Sequence, residues 1–80
     1  MPYIKIEQRE QLAKGKKPED AGELNYQITR LLLEYLQEKG ERYASYNEIM
    51  GVLQCVSQEF YRRWVVPYED RKMKENGDVV

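Results

Sequence analysis

Histidine is absent from the 80 residues, and cysteine occurs once, as Cys55. The first absence removes Ser-His and Cys-His nucleophile pairs, imidazole general bases and histidine-containing zinc sites. The second excludes an internal disulfide and leaves a zinc site within one chain short of ligands. No Gly-rich phosphate loop is present, and the sequence implies no cofactor. No apolar run approaches the roughly 18 residues that a bilayer span requires. The opening MPYIKIEQRE has no hydrophobic signal core. These features lead us to expect a protein of the reducing cytoplasm that makes no membrane contact. Neither charge sign is in excess: thirteen basic and fourteen acidic residues give a formal charge of −1, whereas a general nucleic-acid binder would be strongly basic.

What is there reads as one helical domain. Hydrophobic residues make up 41% and charged residues 34%, with only five Gly and three Pro, a balance that fits a folded rather than a disordered chain. A chain this short buries only about 60–65% of the surface its unfolded form exposes, so its core is marginal. Residues 1–21 read as an arm and a short helix over about 5–14, followed by the polar connection GKKPED. Pro18, Glu19 and Asp20 fit the first turn of a second helix, with Gly22 weakening its opening.

The second helix has the clearest periodicity. Leu24, Ile28, Leu31, Leu32, Tyr35 and Leu36 recur at helical spacing along one broad arc. Tyr26 and Leu33 lie nearly opposite Leu24, so the consistently polar face is narrow and comprises Glu23, Gln27, Arg30, Glu34, Gln37 and Glu38. Gly40 ends the helix. SYNE then reads as a capping box, with Ser45 as cap and Glu48 answering it. In the third helix Ile49, Val52, Leu53, Val56, Phe60 and Trp64 form one stripe, with Met50, Tyr61, Val65 and Tyr68 to one side. The short link predicts an antiparallel hairpin over 22–66. Pro67 cannot donate to the carbonyl of Arg63, so the pattern predicts a kink or break there and a short fourth helix in 67–80 that ends at Asn76-Gly77. Asp70 with Lys74, and Arg71 with Glu75, would be its supporting ion pairs. The expected fold is therefore all-α: a hairpin of two long helices with short flanking helices.

GELNYQITRLLLEYLQEKG, YASYNEIMGVLQC and EFYRRWVVPYEDRKMKENGDV together resemble a group of short proteins met in bacteriophage, prophage and bacterial genomes. The resemblance covers residues 22–80, and EFYRR, PYED and ENGDV are its most distinctive part. That group has no assigned biochemical activity. The resemblance implies a phage-related setting and carries no catalytic residue with it.

Three chemistries remain to be weighed. Carboxylates Glu34, Glu38, Glu59 and Asp70 could serve a metal-dependent phosphohydrolase of the all-α type. However, Glu34 and Glu38 sit on the polar face, and Glu59 has Arg62 and Arg63 within one turn, so a solvated face is the favoured reading. Arg62, Arg63, Arg71, Lys72 and Lys74, with nearby aromatics, could clamp a nucleic acid, but neighbouring acids cancel the field. Cys55, with no group to lower its pKa, reads as a packing residue. Seven tyrosines in 80 residues suit the rims of cores and interfaces alike. The preferred reading is a non-enzymatic interaction module with an unknown protein partner. It would form a homodimer that covers Tyr26, Leu33, Tyr61, Arg62, Val65 and Tyr68, because two-fold dimers are the commonest homo-oligomers.

Overall fold

A computed structural model describes residues 4–80, and every regular element in that span is helical. In chain order these are α1 (Ile6–Ala13), α2 (Ala21–Lys39), α3 (Tyr43–Phe60), a π-helical turn (Tyr61–Val65) and α4 (Val66–Asn76). The chain divides into two units, Met1–Ser45 and Tyr46–Val80. The calls for a first helix near 5–14 and a fourth near 67–75 match α1 and α4 closely. The opening PYI falls partly outside the described residues.

In the first unit α1 packs on α2. Ile4 and Leu12 are its buried apolar side chains, and the Arg9 guanidinium lies 5.6 Å from the Tyr26 ring centre. The start of α2 differs from the expectation. Pro18 lies outside the helix, and Asp20 caps it by accepting a 2.8 Å hydrogen bond from the backbone N–H of Glu23. A carboxylate cap satisfies an otherwise orphaned donor and faces the positive helix end, which offsets the cost of Gly22. Gly40 (φ 92°) and Gly77 (φ 86°) close α2 and α4 in the left-handed half of backbone space, and their N–H groups return to Leu36 and Met73. A side chain at either position would be strained there.

The third helix begins at Tyr43, two residues earlier than the capping-box reading requires. Ser45 is therefore not the cap. It lies inside the first turn, 1% exposed, with a buried Oγ that has no hydrogen-bond partner among the described residues. A serine cap is worth only about 1 kcal/mol, which neighbouring structure readily overrides. Ser45→Ala should leave the melting temperature unchanged or raise it, since it removes an unsatisfied hydroxyl. A loss of about 1 kcal/mol in thermal melts would reinstate the cap.

Around Pro67 the backbone stays helical, with Val66 at φ −60° and ψ −50°. The missing N–H and the ring of Pro67 disturb the pairing of the Arg63 carbonyl. The chain responds by widening: the Val66 N–H bonds to the Tyr61 carbonyl, five residues back. Pro67 itself occupies the first turn of α4, where its lost donor costs least. Pro67→Ala restores that donor, and the π turn should then relax to α geometry. Amide exchange would report it as added protection at residue 67; unchanged protection there would mean that proline is not the cause of the widening.

Candidate functional site

Two groups of side chains stand out, one in each unit. The first centres on Glu23. Helical periodicity places this residue on the wet face of α2, yet it is only 3% exposed. Its carboxylate accepts hydrogen bonds from Gln8 Nε2 (2.8 Å), from the backbone N–H of Glu19 (3.0 Å) and from Lys16 Nζ (3.3 Å). One group thus ties α1, the connection and the start of α2 together. The Gln8 bond foremost, then the Glu19 N–H, hold the Glu23 carboxyl below its ordinary pKa, outweighing its burial. For Lys16, burial opposes the charge, but the bond to Glu23 and the nearby Glu19 carboxylate, 3.6 Å away, prevail and raise its pKa. Sequence reasoning missed this node. The available signal was the spacing of Asp20 and Glu23, which is that of a capping box.

The second group runs along the second unit. Val52, Val56, Phe60 and Trp64 are all exposed, Phe60 at 58% and Trp64 at 54%. The two rings stack with centroids 5.6 Å apart. With Cys55, Val56 and Glu59 they line an open groove of about 380 Å³. Cys55, expected as a packing residue, is exposed here. Cations border the rings: the Arg63 guanidinium is 5.0 Å from Trp64, and Arg71 and Lys72 are 5.8 and 5.7 Å from Tyr68. Such contacts are worth about 0.5–1 kcal/mol at exposed sites. Arg62 and Arg63 both hold Glu59, at 3.2 and 3.0 Å. The Tyr61 hydroxyl donates to Glu69 at 3.2 Å, and that bond, with the carboxylate's charge, raises the tyrosine pKa.

Of the interface candidates, Tyr61, Arg62, Val65 and Tyr68 fall in or just after the π turn, with Val65 half-buried and the others exposed. Tyr26 is half-buried against Arg9, so α1 supplies its cover. Leu33 is 41% exposed, and the main α2 stripe of Leu24, Ile28, Leu31 and Tyr35 is exposed as well. Among the nucleic-acid candidates, Lys72 pairs with Glu75 at 3.1 Å. This i to i+3 pair replaces the two i to i+4 pairs expected in α4. Arg71 and Lys74 are exposed. Of the acids, Glu34 approaches Arg30 at 4.0 Å and Glu59 is held by its two arginines, while Glu38 and Asp70 are exposed. No set of three or more acidic or cysteine side chains among the described residues is placed to hold a metal ion. No described helix is long and apolar enough to cross a membrane.

A family model described as "Domain of unknown function (DUF6899)" matches residues 1–79, and the chain belongs to that family. No curated protein and no solved structure matches it.

Proposed function

We propose that this DUF6899 chain is a small helical interaction module that works as a homodimer, α2 and α3 of two copies closing a four-helix core. One observation carries the reading: the stripe Val52, Val56, Phe60 and Trp64 is exposed along a helix that has little else to stabilise it. Isolated helices are marginal in water, and most helical stability in proteins comes from packing an amphipathic face. An apolar stripe of this length on a soluble protein marks an interaction surface. The exposed stripe of α2 supports the same conclusion. In this reading α2 and α3 run antiparallel within the core, as their short link favours, and the long helix bends near Pro67. The module belongs in the cytoplasm, in a phage or prophage setting, with a phage or host protein as its further partner.

Sedimentation equilibrium of the full chain at micromolar concentration tests the assembly. A mass of twice 9.6 kDa is the expected result, and a well-folded monomer at that concentration removes the proposal.

A further inference from the structure

Building on that self-association, we infer that α3 pairs with α3 of a second copy in antiparallel sense, about a two-fold axis passing between Gln54 and Cys55. The spacing of the stripe carries the argument. Ile49, Leu53, Val56 and Phe60 are separated by four, three and four residues, so the pattern reads the same in both directions. Extending it by four residues at each end adds Ser45 and Trp64 and keeps the symmetry. Reversed upon itself, the stripe sets Leu53 against Val56 of the second copy and Ile49 against its Phe60. The bulky indole of Trp64 then falls over the position of Ser45, a small residue sunk to 1% exposure. Large side chains meet small or branched ones, as interdigitating layers require. A parallel pairing in register would instead bring each Trp64 and each Phe60 against its own copy.

Charge favours the same direction. Glu48 stands near the start of α3, and Arg62 and Arg63 stand just past its end. Antiparallel pairing carries Glu48 alongside the arginine pair of the second copy, whose guanidinium donors can serve it as well as Glu59. Parallel pairing places the arginines of the two copies together. Unlike helix ends also meet only in the antiparallel case.

The area is consistent with a four-helix core rather than a lone helix pair. Half-exposed Phe60 and Trp64 offer roughly 100 Å² each and the two valines somewhat less, so the seam between two copies is on the order of 700–800 Å². Stable assemblies bury about 1,200 Å² or more. The exposed Leu24, Ile28, Leu31 and Tyr35 of α2 supply the remainder when they close over the same core.

Cys55 is the only cysteine and lies beside the inferred axis, so it is a native labelling site. Spin labels are attached at Cys55 in the full chain and, in a second protein, at Asn47→Cys in a Cys55→Ser background. Pulsed dipolar distances are measured on both, with sedimentation run on the same samples. The expected result is a dimer with closely spaced Cys55 labels. The labels at position 47 should lie about 20 Å further apart along the axis, from the 1.5 Å rise per residue. A dimer whose labels at 47 and 55 are equally close overturns the antiparallel pairing and leaves self-association standing. A dimer with distant Cys55 labels overturns the α3 seam. A folded monomer overturns this inference and the proposed function together.

Discussion

Replacing Phe60 and Trp64 together by glutamate should leave a folded monomer at concentrations where the parent chain dimerises. Each ring offers roughly 100 Å² of apolar surface, and removing that area from water contributes about 2.5 kcal/mol at 25 cal/mol per Å². Two copies present four such rings, so the gross loss is on the order of 10 kcal/mol, of which ordering the interface offsets a large share. Four carboxylates would also enter an apolar seam, where unpaired charge is costly. A residual loss of only 4 kcal/mol still weakens association about a thousandfold. Because both rings are exposed within one chain, the substitutions should not disrupt packing inside the monomer. Sedimentation reads the loss of dimer. An unchanged dimer mass in the double variant would show that the copies meet elsewhere.

The second large effect concerns Glu23→Gln. The substitution keeps the shape but removes the charge that Gln8, Lys16 and the Glu19 N–H all address. At neutral pH the melting temperature should fall by roughly 5–10 °C. The pH dependence follows from the direction of the shift. A folded carboxyl held below its ordinary pKa means that the unfolded chain binds more protons in the acid range, so stability rises with pH there. The contribution is fully present above the ordinary glutamate value, about 4.3, and is lost as pH falls through the lower folded value. The gap between parent and variant should therefore be wide at pH 7 and close by about pH 3. Comparing the two proteins cancels the titration of the other carboxylates, and melts followed by circular dichroism suffice. Equal melting temperatures at pH 7 would mean that the node does not hold α1 to α2.

The elements of this fold were legible because their signals are local. Leu24, Ile28, Leu31 and Tyr35 announce α2 by spacing alone, and Gly40 and Gly77 mark ends that only a positive φ can close. The errors came where two local signals competed. Ser45 and Glu48 have the form of a capping box, yet the helix extends to Tyr43, because capping is a weak preference. Pro67 signals a kink or an interruption, yet the chain keeps helical geometry by lengthening one hydrogen-bonded turn. Glu23 was read as solvated because periodicity assigns residues to faces and cannot say which polar face another segment will cover. Lys16 and Gln8 come from outside α2, so no pattern within the helix reveals them. The exposure of Phe60 and Trp64 was hidden for a related reason: an apolar stripe looks the same whether it meets its own chain or another.

The π turn alters how the chain tolerates a change of length. A widened turn amounts to one residue inserted into an otherwise regular spiral. Deleting a single residue between Tyr61 and Val65 would therefore restore an ordinary helix, whereas the same deletion within Ile49–Phe60 would rotate every following stripe residue by about 100°. In this family, single-residue gaps should fall in the turn before the proline, and the length of that turn sets the direction in which Tyr68 and its flanking cations face.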